Sequence, residues 1–236
     1  MKSALYIIPI ITQGAIYLAT RTLFGLCANL SIRGVENLGD VRGPTIFVAN
    51  HMSEWDGILV RAGLPFFSKT FSPMYYVART GWSWHEFRWR SFIYKDFILE
   101  SVGAIQKTPG NRNYAITLSR HIALLKKGRC VCIFPEGKII KDGGIAEVHG
   151  GVGYLAHVSD ATLIPVSISG SNTMRLCHLF SKRSDVTLTY GKPIPAHVLL
   201  PHPVTSIEQY KQTAQRIMNE IKTLSQVQPC IHVSRQ

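Results

Sequence analysis

Apolar positions along the chain fall into short continuous runs separated by stretches with helical spacing. The run TIFVA at 45–49, launched by Gly43-Pro44, predicts a buried strand, and Cys130 to Phe134 predicts a second. Further strands are predicted at 162–168 (TLIPVSI) and 185–190 (DVTLTY). Between them, Tyr114, Leu118, Ile122 and Leu125 recur at helical intervals over 113–127, and Lys126-Lys127-Gly128 closes that helix with cations and a glycine cap. Another helix is predicted at 150–158. The last runs from Ser206 to about Leu224, with Tyr210, Ala214, Ile217, Ile221 and Leu224 on one face and Ser206 and Gln209 fitting a capping box. Residues 191–204, with Pro193, Pro195, Pro201 and Pro203, read as an irregular connector. Strands alternating with helices predict an α/β fold, a single layered domain whose largely parallel central sheet is flanked by helices.

The amino terminus departs from this alternation. Residues 4–20 carry no charge, which puts them at the lower limit of length for a bilayer-spanning helix. Pro9 and Gly14 are expected to interrupt the run, and Thr12 and Gln13 add polarity. No small-residue cleavage site follows, so a removable signal peptide is not predicted. Residues 1–31 read as a membrane-docking helical segment ahead of a main domain at 32–236. The segment is either a single anchor or a helical pair lying partly in the bilayer; a soluble core helix is the third reading. The membrane readings keep the main domain on the cytoplasmic face of the inner (plasma) membrane.

Composition narrows the function classes. The 236 residues carry a formal charge of +12, are 46% hydrophobic and only 17% charged. This excludes intrinsic disorder, which needs low hydrophobicity with high charge. The absence of further long uncharged runs excludes a polytopic membrane protein. Excess positive charge favours anionic partners: lipid headgroups, phosphorylated ligands, acidic carrier proteins or nucleic acid. Five cysteines with no CxxC pair read as reduced core residues, Cys130 and Cys132 sharing one face of a strand. The histidines show no metal-ligand spacing, and no metal is expected.

Candidate chemistry concentrates at two loops. Asn50-His51-Met52-Ser53-Glu54-Trp55-Asp56 follows a predicted strand. A positioned imidazole is the usual device for taking a proton from a hydroxyl, and it needs a partner that fixes its tautomer. In one regular helix, residues five apart point about 140° away from each other. His51 in the strand-to-helix turn and Asp56 in the first helical turn are able to meet. Read alone, the pair is equally a turn histidine and an acid near a helix start. Phe134-Pro135-Glu136-Gly137-Lys138 ends the second strand and shares the carboxyl edge of the sheet, where ligands bind in open α/β folds.

Together the two loops resemble the signatures of the glycerolipid acyltransferase superfamily, the family of 1-acyl-glycerol-3-phosphate acyltransferases. NHMSEWD resembles its NHxxxxD motif, and FPEG its second signature. Gly103-Ala104-Ile105 is similar to the start of its intermediate motif, and Leu163-Ile164-Pro165-Val166 to its closing element. The resemblance spans roughly residues 30–195. It implies that His51 deprotonates the acceptor hydroxyl and that Asp56 orients and charge-stabilises His51. The same resemblance implies that Glu136, Gly137 and Lys138 line the acceptor subsite, that Asn50 and Pro135 shape the wall of the motif, and that Pro165 belongs to the wall of the donor or acyl site. The donor implied is acyl-CoA or acyl carrier protein thioester, with no metal or redox cofactor and a membrane phospholipid surface as partner. Two departures concern the acceptor phosphate. Lys107 or Arg112 stands where the family has an arginine, and lysine lacks its bidentate fork. Lys138-Ile139-Ile140 follows FPEG in place of the usual Thr-Arg-Ser. A different lyso-lipid acceptor is therefore an alternative, as is a non-catalytic membrane-peripheral lipid-binding protein. The aromatic and basic residues of 66–97 read as a membrane-facing surface, in preference to a nucleic-acid-binding one, with an aromatic core segment bearing solvated charges as the alternative for individual residues.

Overall fold

All five residues of strand β2 (Thr45–Ala49) are buried, as a run without polar alternation requires of a strand covered on both faces. The computed structural model describes residues 4–78, 96–108, 113–140, 147–173, 184–200 and 206–226. Its sheet also holds β1 (Ala28–Arg33), β3 (Met74–Ala78), β4 (Ala104–Gln106), β5 (Cys130–Ile133), β6 (Thr162–Ser169), β7 (Ser184–Tyr190) and β8 (Ile194–Pro195). The strand order is β1-β7-β6-β2-β5-β3-β4, with β8 beside β6. From β6 to β4 every neighbour is parallel; β7 runs antiparallel to β6 and parallel to β1. The carboxyl ends of β2, β5, β3, β4 and β6 therefore share one edge.

Two cores cover the two faces. Ile46, Val48 and Val131 pack with Leu155 of helix α6 (Gly151–Ser159) and with Ile217 and Ile221 of α8 (Ile207–Gln226). Phe47, Ala49, Cys130 and Cys132 face the other way, against Leu59 and Val60 of α2 (Asp56–Ala62). The two cysteines thus share a face, as strand alternation predicts; both are free, and burial pushes the Cys130 thiol up to about 12. Cys177, Cys230 and most of the aromatic run, 79–95, lie outside the described residues.

Several expectations are revised in detail. After α3 (Asp96–Ser101), the helix expected over 113–127 is two short helices, α4 (Tyr114–Thr117) and α5 (Ser119–Leu125). Leu118 leaves helical geometry at φ −109°, ψ 13° and drops its side chain into the core. The proline-rich connector contains β8 and α7 (Ala196–Leu199). Residues 28–31, read as part of the apolar segment, belong to β1 and hence to the sheet.

The amino-terminal segment forms one continuous helix, α1 (Ala4–Cys27), so neither Pro9 nor Gly14 divides it into a pair. Among the described residues no helix is long and apolar enough to cross a membrane. Its polarity is inverted. Pro9, Gln13 and Thr20 are buried against the domain, whereas Ile11 and Leu18 are 65% and 60% exposed. At 3.6 residues per turn Ile7, Ile11 and Leu18 lie within about 40° of one another on the outer face. Gln13 explains the inward face. Its Oε1 accepts from the Met74 N–H at 2.9 Å, and its Nε2 donates to the carbonyls of Met74 at 2.5 Å and Val102 at 2.9 Å. The side-chain amide thereby supplies β3 with the pairing that the shorter β4 does not reach. Gly103, at φ +84°, leaves room for this, because a Cβ there would lie 2.7 Å from Gln13 Nε2. On the same side, Tyr17 packs 5.0 Å from Phe66 and lies under the Arg61 guanidinium.

Candidate active site

Where β2 ends, Asn50 continues its pairing by side chain. Its Nδ2 donates to the Ile168 carbonyl and its Oδ1 accepts from the Ile168 N–H, both at 2.8 Å. The turn is thereby anchored to β6, and the next residue, His51, stands over the sheet edge. Its ring stacks on Phe134, just past β5, with centroids 4.2 Å apart and planes at 18°. Its backbone is held at both ends: the N–H donates to Glu136 Oε2 at 2.8 Å, and the C=O accepts from the Ile140 N–H at 2.8 Å.

The chain then folds back, as the fivefold spacing requires, and α2 begins at Asp56. The carboxylate of Asp56 is fully buried and 2.9 Å from His51 Nδ1. Nor is that its only contact. Oδ2 also accepts from the N–H groups of Met52 and Ser53 at 2.6 and 2.8 Å, and Oδ1 accepts from the hydroxyls of Ser53 and Ser171 at 2.8 and 2.7 Å. Five donors thus stabilise one buried negative charge, which without them would be costly. A carboxylate so held accepts the Nδ1 proton, fixing the tautomer that leaves Nε2 unprotonated and facing outward. Nε2 has no hydrogen-bond partner among the described residues, and 19% of the histidine side chain is exposed.

The second loop folds beside the first. Burial pushes the half-buried Glu136 carboxyl up, partly offset by the hydrogen bond from the His51 N–H and by the nearby imidazole. One oxygen of Glu136 is therefore committed to the histidine turn, a use that its motif position does not reveal. Gly137 adopts φ +63° and its Cα lies against the His149 ring, 3.1 Å from where a Cβ would sit. Pro135, buried, accepts from the His149 N–H at 2.9 Å, and Lys138 is exposed.

Lys107 and Pro165 stand farther from the histidine. Lys107 follows β4, three strand positions from β2, or about 14 Å at the usual inter-strand spacing. Arg112 lies outside the described residues. Pro165 sits within β6, buried, its ring against Gly191 and away from the β6 carboxyl end. Its missing N–H falls where β6 passes from pairing with β8 at 162–163 to pairing with β7 from 166, so no ladder bond is lost. Ser171, which the sequence alone does not single out, joins the site through Asp56. Only its fold position, just past β6, brings it to a carboxylate 115 residues away.

The family model described as Acyltransferase matches residues 29–169, more than half of the chain. A chloroplastic 1-acyl-sn-glycerol-3-phosphate acyltransferase of Arabidopsis thaliana is 28% identical over 146 residues, covering 60% of this chain and 36% of the relative. A protein of the same description from Brassica napus is 28% identical over 144 residues, covering 59% and 37%. The match thus spans little more than a third of either curated relative. In fold, the chain is similar to the crystal structure of the 1-acyl-sn-glycerophosphate acyltransferase PlsC from Thermotoga maritima. The TM-score is 0.62 at 18% identity, over 93% of this chain and 81% of that one.

Proposed function

Because this chain belongs to the acyltransferase family, we propose that it moves a fatty acyl group from an acyl thioester to the free hydroxyl of 1-acyl-glycerol-3-phosphate, giving phosphatidic acid. The observation that carries this reading is the buried, five-fold hydrogen-bonded Asp56 holding His51 Nδ1 at 2.9 Å with Nε2 turned outward. Nε2 takes the hydroxyl proton while the oxygen attacks the thioester carbonyl. The tetrahedral intermediate collapses, the C–S bond breaks, and the departing thiolate of CoA or acyl carrier protein receives that proton from the imidazolium. Asp56 offsets the charge on the ring between these two transfers. No covalent acyl-enzyme and no metal enters this scheme.

The acceptor is the choice that the names of both curated relatives favour. The cation for its phosphate is Lys107 or Arg112, as the family resemblance implies, with Glu136, Gly137 and Lys138 nearer the reacting hydroxyl. The test offers purified protein a mixture of lyso-lipids with labelled acyl-CoA and acyl carrier protein thioesters and identifies the esterified product by mass spectrometry. Labelled phosphatidic acid is the expected product. Label in another lipid class reassigns the acceptor, and label in none overturns the proposal.

The reading extends to a lipid surface. The outward stripe of Ile7, Ile11 and Leu18 on α1 continues into Phe67, 89% exposed and 4.8 Å from Phe66, whose ring packs on Tyr17. A helix with polar groups docked inward and large aliphatics outward suits the interface plane of a bilayer, where each buried aliphatic side chain contributes about 1.5–3 kcal/mol. Ile11→Lys with Leu18→Lys is expected to weaken flotation with phospholipid vesicles by about tenfold or more, since 1.4 kcal/mol is a factor of ten. Undiminished flotation of the double variant would move the contact elsewhere.

A further inference from the structure

We infer that Ser171 is a positioning residue for the acyl-transfer reaction, setting the charge that Asp56 presents to His51; the inference rests on the reading of these two as base and partner. Three observations converge on it. The hydroxyl is fully buried and donates to Asp56 Oδ1 at 2.7 Å, so the carboxylate is its acceptor. The turn that carries it is strictly shaped. Gly170 adopts φ +77°, and any Cβ there would collide with the Asp185 carbonyl of β7, so the backbone is pressed onto the neighbouring strand before turning at Ser171. Finally, this turn begins two residues after the backbone of Ile168, which the Asn50 amide grips from the histidine loop. The base, its carboxylate and the end of β6 form one hydrogen-bonded unit.

The chemical consequence follows from charge. Oδ1 takes two hydroxyl donors, from Ser53 and Ser171, while Oδ2 takes His51 together with two backbone N–H groups. Each donor draws negative charge away from the imidazole. Removing the Ser171 hydroxyl concentrates that charge, favours the imidazolium and makes His51 a base that stays protonated to higher pH. Other titratable groups facing the pair are Glu136 on the β5 loop and the Cys132 thiol on β5, kept neutral by burial. Beyond Glu136 lie Lys222 of α8 and the ring of His149. None of these contacts Oδ1.

The test measures kcat and KM against pH for Ser171→Ala and for Ser171→Cys, which keeps the volume but donates poorly. In both, kcat/KM on the acid side is expected to move up by about half a pH unit, a loss of about threefold at a fixed pH on that limb. KM for either substrate stays unchanged, because Ser171 touches neither. A purely structural serine lowers the yield of folded protein and leaves the limb where it was; an unmoved limb in folded Ser171→Cys overturns the inference. His51→Ala measured alongside separates the two claims. Full transfer in that variant removes the base itself, whereas an inactive His51→Ala with an unmoved Ser171→Cys limb removes only the role of the serine.

Discussion

Replacing His51 by alanine is expected to lower acyl transfer by about 10²–10⁴-fold, the range supplied by a positioned general base. The loss falls on chemistry because the histidine serves the fold through its backbone. The N–H to Glu136 and the C=O from Ile140 survive the substitution, and Asp56 keeps four of its five donors. What the fold gives up is the ring stacked on Phe134 and one charge-assisted bond. Initial rates with a labelled thioester, beside a melting curve and vesicle flotation, separate these effects. Transfer at the unsubstituted rate would remove the base assignment.

Asp56→Asn is expected to cost about 10²–10⁴-fold in kcat through a different route, with the protein folded. The donors dictate how the amide sits. Its oxygen must take the place of Oδ2, which faces two backbone N–H groups and the imidazole, and none of the backbone donors turns away. Its NH₂ then faces the hydroxyls of Ser53 and Ser171, which rotate to accept. His51 therefore keeps its tautomer and loses only the negative charge opposite the imidazolium. Without that charge the protonated ring is less favoured, so the acid limb of the pH–rate profile moves down, opposite to the shift expected for Ser171→Ala. A limb that stays in place would make Asp56 a scaffold for the turn alone.

The sheet was legible at β2, β5, β6 and β7 but not at β3, whose buried Met74 and Tyr75 fall in the aromatic run read as a membrane-facing surface. TIFVA and CVCI are unbroken apolar runs because β2 and β5 lie in the middle of the sheet. β1 escaped notice because it is an edge strand with half-exposed positions, and its residues continue the apolar character of α1. The contact of His51 with Asp56 was readable as a possibility of turn geometry, since both residues belong to one short loop. Ser171 and the Glu136 bond to the His51 N–H were not, since each joins residues 85 or more positions apart and only the fold brings them together. Leu118 had the right spacing for one long helix, and burial of its side chain prevailed over helical continuity.

Gln13 has a practical bearing on anyone preparing this protein. Trimming away the greasy leading helix is the obvious route to a better-behaved sample. Yet the amide at position 13 completes the margin of β3 through Met74, and Thr12 reaches the Ser101 carbonyl beside it. A shortened chain would bare that backbone and invite strand-to-strand association between copies, so mild detergent suits it better than the scissors.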